Sequence, residues 1–174
     1  MKGFQQLFNQ LLKDIQVELD DEFDRNFERK AFFTTGWKPA IKNSIGSLLT
    51  RTGALRSSLF PSRIIGTSIK WTSSLAYADI HNSGGTITVT PKMKGFFWYR
   101  FRVATGGNNK NLNAEALFWK AMALKPVGSV IIIPKRQFIG DHPMVHQSVR
   151  NVSEEWFNND VKKMIDDQLN NIVR

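Results

Sequence analysis

Long amphipathic patterns occupy both ends of this 174-residue chain and limit the folds open to it. Apolar residues recur every three or four positions from residue 3 to residue 30 and again from about 143 to 173, which predicts a long helix in each place. Each apolar stripe is too wide to face solvent, so we expect both helices to pack on the sheet, beside each other. The stripes consist of Phe4, Leu7, Phe8, Leu11, Leu12, Ile15, Leu19, Phe23 and Phe27, and of Val145, Val149, Val152, Trp156, Val161, Ile165, Leu169 and Ile172.

The middle of the chain carries shorter β patterns that are separated by turn residues. Short helices are predicted over residues 53–58, with Thr52 as the N-cap, and over residues 113–124. Runs of strands between long helices favour a single α+β domain over a doubly wound sheet, here an antiparallel sheet with a long helix at each end of the chain. The predicted strands cover residues 64–73 (with Ile65, Ile69 and Trp71 buried), 86–90, 96–103 and 130–133, the last a buried strand that ends at Pro134.

Basic residues are concentrated in the middle of the chain. The formal charge of +9 comes from 24 Lys and Arg and 15 Asp and Glu, and residues 37–149 hold 15 of the bases but only three of the acids. A basic body between acidic ends suits a polyanion or an acidic neighbouring protein, and it equally fits a solvated surface. The three acids, Asp79, Glu115 and Asp141, are scattered, which argues against a two-metal nuclease or a glycosidase carboxylate pair.

Patterns typical of catalysis do not occur in the sequence. The absence of cysteine excludes disulfides, thiolate zinc sites and thiol nucleophiles. There is no glycine-rich phosphate loop, no G-x-S-x-G elbow and no HExxH motif, although His142 and His146 lie four residues apart. We therefore expect a protein that is not an enzyme, with no catalytic residue, no cofactor and no metal.

Apolar residues never form a run long enough to cross a membrane. Those near the N-terminus are spaced, and Lys13 and Asp14 interrupt them before the apolar block of a signal peptide could form. We expect the protein to make no membrane contact and to be assembled in the cytosol.

Residues 92–112 combine aromatic residues with bases and hold no acid. We interpret this segment as a protruding β-hairpin, in which Phe97, Tyr99, Phe101 and Val103 share one strand face and residues 106–111 form an exposed loop. Trp98 could anchor a protein interface in which the arginines face acidic residues of the neighbouring protein. Alternatively, the basic side chains could face DNA phosphates. A strand with one face in the core is the third interpretation. The candidate interface or lumen residues are Trp98, Arg100, Arg102, Lys92 and Lys94.

Three short segments carry the remaining signatures: residues 49–58 (LTRTGALRSS), residues 77–85 (YADIHNSGG) and residues 133–140 (IPKRQFIG). We call them the first, second and third segments. The glycine pair of the second segment supplies positive φ for a tight turn, and the proline of the third ends a strand. None of the segments supplies a nucleophile, a base or a metal ligand, so we interpret them as structural. Their signature residues are Thr52, Gly53, Leu55, Tyr77, His81, Gly84, Gly85, Pro134 and Phe138.

In order and spacing, these segments resemble the phage virion-morphogenesis family, the tail-completion and neck proteins of tailed phages and Mu-like prophages. The family patterns are T-G-x-L-x-x-S, Y-A-x-I-H-x-x-G-G and I-P-x-R-P-F-L-G, and the resemblance extends over about residues 10–160. The chain departs from them in two places. Gln137 stands where the family commonly has proline, and residues 92–127 form an insert longer than we would expect.

The resemblance implies a structural protein of the virion neck or tail, assembled in the host cytoplasm. It implies a homo-oligomeric ring, hexameric by resemblance, that caps the tail tube and joins it to the head connector. Its partners would be further copies of the chain, the connector, and tail-tube or tail-terminator proteins. Genomic DNA would pass through the lumen, where its phosphates could contact Lys and Arg side chains of the chain without sequence preference. A monomeric, sequence-independent nucleic-acid-binding protein is the alternative.

Overall fold

The computed structural model describes residues 4–39, 48–50, 52–108 and 112–172. In this part of the chain the helices are α1 (Phe4–Arg29), α2 (Ala54–Leu59), α3 (Ala78–Ser83), α4 (Pro91–Ala104), α5 (Ala114–Leu124), α6 (Pro143–Trp156) and α7 (Lys162–Ile172). The strands are β1 (Ala31–Phe32), β2 (Thr35–Gly36), β3 (Arg63–Ile65), β4 (Ser68–Lys70), β5 (Gly85–Thr88) and β6 (Val130–Ile133). The α+β class and the long helix at each end are confirmed, with one π-helical turn (Phe157–Val161) joining α6 to α7.

The α1 and α6 helices pack against each other, as predicted. Ile165 and Leu169 of α7 are exposed, although the apolar stripe of the second helix was expected to be buried. The α6 helix begins with Pro143, and the Nδ1 atom of His142 accepts a hydrogen bond from the Met144 backbone N–H at 3.2 Å. Since proline lacks the N–H that the first helical turn leaves unpaired, it starts this helix at little cost. The contact forms one core cluster, made of Ile15, Leu19, Phe23, Phe32 and Phe33, with Val145, Val149 and Val152 against it.

The strands of the described residues form three separate antiparallel pairs, β1–β2, β3–β4 and β5–β6, instead of one sheet. The single strand predicted over residues 64–73 is wrong, because Gly66 adopts a φ of 63° and turns the chain between β3 and β4. This turn leaves Ile65 exposed, although it was expected in the core. Ile69 and Trp71 were also expected to be buried; they are half-buried, packed against the core cluster of Ile15, Leu19, Phe23, Phe32 and Phe33.

The strand predicted over residues 96–103 is also wrong, because this segment lies inside α4. The Thr90 hydroxyl accepts a hydrogen bond from the Met93 N–H at 3.2 Å, and Pro91 takes the first helical position. Phe97 and Phe101, four residues apart, are the buried members of one helical face. This N-terminal cap and the i, i+4 aromatic pair outweigh the β propensity of the aromatic residues.

The strand predicted over residues 130–133 exists as β6, but it is not buried as expected. Ile132 is 75% exposed and Val130 is also exposed, while Ile131 and Ile133 are half-buried. A two-stranded ribbon packs only one of its faces, so alternate side chains of β6 remain in solvent.

Some sequence features fall partly outside the described residues. Arg51 of the first segment and residues 109–111 of the predicted loop are among them, whereas residues 106–108 are described and exposed. None of the described helices combines the length and the apolar character that a membrane span requires.

Candidate functional site

The three signature segments, far apart in sequence, contribute to one buried cluster. Leu55 comes from the first segment, Ala78 from the second and Phe138 from the third. They surround Phe27 of α1, whose ring centroid lies 5.1 Å from that of Phe138. We call this set the motif cluster; its buried members are Phe27, Trp37, Leu55, Leu59, Ala78 and Phe138.

The second and third segments are joined along their backbones. The Arg136 N–H donates to the His81 carbonyl at 2.9 Å. The Asn82 Oδ1 atom accepts from the backbone N–H groups of Phe138, at 2.9 Å, and Ile139, at 3.2 Å. These bonds make the two segments one unit.

Gly84 lies where this unit is tightest. A β-carbon at this position would come within 2.8 Å of the backbone nitrogen of Lys135, and its φ of 75° is one that other residues rarely adopt. The positive φ expected of the glycine pair is therefore found at Gly84, whereas Gly85 begins β5.

Polar residues that the signatures do not include hold the third segment in place. Asn26 of α1 is fully buried; its amide donates to the Phe138 carbonyl at 3.1 Å and accepts from the Phe33 N–H at 2.9 Å. The Trp37 indole donates to the Gln137 carbonyl at 2.6 Å. One feature of the sequence could have predicted that Asn26 is buried: it lies three residues after Phe23, on the apolar stripe.

The first segment is held by charge as well as by packing. Gly53, with a φ of 71°, precedes α2, and the Thr52 hydroxyl accepts from the Ala54 N–H at 3.3 Å. The prediction of Thr52 as the N-cap is therefore wrong: Gly53 is the N-cap, and Thr52 lies one residue before it. The Arg56 guanidinium pairs with Asp24 and Glu28 of α1, and its hydrogen bonds to these carboxylates raise its pKa.

His81 is the histidine of the signature set. Burial lowers its pKa, the nearby Arg136 cation lowers it further, and its Nδ1 atom has no hydrogen-bond partner among the described residues. The neighbouring Tyr77 ring lies 5.9 Å away and is exposed. Asp79 is exposed and bonds only weakly to Ser83, at 3.4 Å. This arrangement does not resemble a nucleophile with its base.

An open cleft of about 310 Å³ lies beside the motif cluster. Asp79 is the one charged residue among the described residues that line it, and the rest are apolar or neutral. Within the described part of the chain, no group of three or more His, Asp or Glu side chains is arranged to hold a metal ion.

The insert at residues 92–127 contains an antiparallel helical hairpin of α4 and α5. The helix predicted over residues 113–124 is confirmed as α5, whereas α4 replaces the strand predicted over residues 96–103. The Phe97 and Trp119 rings stack at 6.1 Å, and the Asn113 amide donates to the Ala104 carbonyl at 2.9 Å. Between these contacts Arg100 pairs with Glu115 at 3.0 Å and lies 5.1 Å from the Trp119 ring centre. Arg100, a candidate interface residue, is therefore engaged within the hairpin itself.

The other candidate interface residues differ in exposure. Lys92, Trp98 and Arg102 are exposed on α4, whereas Lys94 is half-buried. Basic side chains and aromatic rings are thus exposed together on the hairpin, but on a helix instead of the predicted strand.

The helical hairpin is connected to the motif cluster through the β5–β6 ribbon. Beyond the last strand pair, the Val89 N–H donates to the Ser129 carbonyl at 2.8 Å and the Gly128 N–H donates to the Val89 carbonyl at 2.9 Å. At its other end the ribbon begins at Gly85 and ends at Ile133, where the second and third segments meet. The motif cluster therefore holds the base of the ribbon that carries the hairpin.

Comparisons with protein-family models, with curated proteins and with solved structures found no match to this chain.

Proposed function

We propose that this chain is a structural virion protein of the phage head–tail junction. In this role it forms a ring, by resemblance a hexamer, that caps the tail tube and joins it to the head connector. It is not an enzyme, and its three signature segments serve its architecture.

One observation carries the proposal: the three segments on which the family resemblance rests pack into a single cluster that supports an exposed, basic helical hairpin. Segments that contribute to one buried cluster and are joined by backbone hydrogen bonds suit a scaffold protein. The exposed hairpin then offers a surface for neighbours in the virion.

The proposal is tested by the mass and shape of the purified chain. Size-exclusion chromatography with light scattering should give a closed oligomer, and electron microscopy should show rings with a central opening. Added tail-tube protein should shift the ring to a larger complex. A chain that stays monomeric at all concentrations and binds neither tail-tube nor connector protein contradicts the proposal.

A monomeric nucleic-acid-binding protein is the second candidate. The observation that favours it is the exposure of Lys92 and Arg102 beside Trp98 and Tyr99. Basic side chains can pair with phosphates, and aromatic rings can stack on nucleobases. A monomer that binds mixed-sequence DNA, with an affinity that falls steeply as salt rises, would favour this candidate over the ring.

A further inference from the structure

The α4 helix has a second apolar face that stays largely exposed. Phe97 and Phe101 are buried, whereas Phe96, Tyr99 and Val103 are 52%, 58% and 54% exposed, with one edge of the Phe96 ring against Trp119. These three residues are spaced three and four apart, so they form one outward stripe. An exposed apolar stripe of this kind is typical of an interaction surface.

Gly95 lies next to this stripe in the interior of α4. A β-carbon built there would meet nothing within 4 Å, so packing within the subunit does not require glycine at this position, although glycine in a helix interior destabilises the helix relative to alanine. A missing side chain beside exposed rings allows another chain to approach the helix closely. We call Gly95, Phe96, Tyr99 and Val103, with Lys92 and Arg102 at the rim, the hairpin face.

A groove of complementary character lies between α1 and the α6–π-turn region. It has a volume of about 370 Å³, and none of the described residues lining it is basic. Val17 of its wall is 62% exposed, and the Trp156 Nε1 atom has no hydrogen-bond partner among the described residues. Its lining consists of Asp14, Val17, Glu18, Val152, Glu155, Trp156, Asn159 and Asp160.

We propose that the hairpin face of one copy of this chain docks in the α1–α6 groove of the next copy. The stripe and Val17 then bury apolar surface together, while Lys92 and Arg102 face the four carboxylates of the groove. This inference rests on the proposed self-assembly and names the surfaces that produce it.

The exposure of both surfaces makes the proposed contact intermolecular. Val17 of the groove and Tyr99 and Val103 of the hairpin face are all exposed within one subunit, so they do not cover each other there. Because the two surfaces differ, the contact is head-to-tail. One copy therefore offers a different surface to each neighbour, and such contacts close into a ring when the rotation per subunit permits.

Charge reversal tests the pairing of the two surfaces. One variant carries Lys92→Glu with Arg102→Glu, and the other carries Glu18→Lys with Glu155→Lys. Each alone should raise the concentration needed for self-association at least about tenfold, because like charges then meet at the contact. An equimolar mixture should recover association, since each altered surface finds an altered partner and each unaltered surface finds an unaltered one.

The matched control is Arg63→Glu with Lys70→Glu, which reverses two exposed, paired positions of the β3–β4 ribbon. This variant should associate as the wild type does. Circular dichroism on all variants verifies that each is folded before its mass is measured by light scattering.

The outcomes separate this inference from the proposed function. If the wild type forms rings and both reversed variants form them equally well, the contact is wrong while the ring stands. If the mixture fails to recover association, the pairing of these two surfaces is refuted. If the hairpin variant keeps its mass but loses binding to mixed-sequence DNA, the hairpin face binds nucleic acid instead. A wild type that stays monomeric refutes both proposals.

Discussion

Phe138→Ala tests whether the motif cluster stabilises the fold. The Phe138 side chain is 1% exposed, and its ring packs on Phe27 between residues held by α1 and α2. Burial of such a side chain contributes about 1.5–3 kcal/mol, and the cavity left behind adds to this because the helices cannot close over it. The backbone bonds of Phe138 to Asn26 and Asn82 are kept. We therefore expect a loss of about 3–5 kcal/mol, from the ring alone.

Urea unfolding followed by circular dichroism measures this loss, and two protein concentrations separate it from any effect of assembly. Phe157→Ala is the matched control, because Phe157 is exposed on the π-helical turn and its removal should change the free energy of unfolding by less than about 0.5 kcal/mol. A loss below about 1.5 kcal/mol for Phe138→Ala would mean that the cluster does not pack as described.

Three further changes address the ribbon base, the buried histidine and the hairpin. Gly84→Ala should destabilise the chain more than Gly66→Ala in urea unfolding, since both have positive φ but only Gly84 is pressed against another backbone. Burial lowers the pKa of His81, so as the pH falls below about 6.5 the unfolded state binds a proton at this side chain before the folded state does. The free energy of unfolding should therefore fall between pH 7 and pH 5, and it should fall less in His81→Gln. Urea midpoints across this pH range measure the difference. Replacing residues 90–127 with Asn-Gly should leave a chain that folds but does not associate, because Val89 and Gly128 are already hydrogen-bonded; circular dichroism and light scattering measure both effects.

The long helices could be predicted from sequence because their periodicity continues over many turns. Residues 96–103 show the limit of that reasoning, since Phe97 and Phe101 satisfy both a strand alternation and an i, i+4 helical pair. The deciding signal lay outside the aromatic run, in the Thr90-Pro91 pair that starts a helix. Short windows rich in aromatic residues are therefore better assigned from their flanks than from their own alternation.

The candidate surfaces were harder to predict than the helices. Lys92 and Arg102 could be named as candidate interface residues because their segment is rich in basic residues. Arg100 lies in the same segment, but it pairs with Glu115, fifteen residues later. Which bases are exposed depends on how α4 and α5 pair. The acidic groove depends in turn on the packing of α1 with α6, at opposite ends of the chain, and no local pattern reports that.

The position of the insert explains how one small fold can combine a rigid cluster with an exposed hairpin. The hairpin interrupts the chain between two strands that pair, so its ends stay together whatever its length. The ribbon connects the hairpin to Gly84 and Lys135, whose backbones are in close contact. From there the His81–Arg136 bond and the Asn82 amide continue the connection into the motif cluster. The signature residues therefore fix the direction in which the ribbon leaves the domain. In the proposed assembly, that direction decides where the hairpin face meets the next copy.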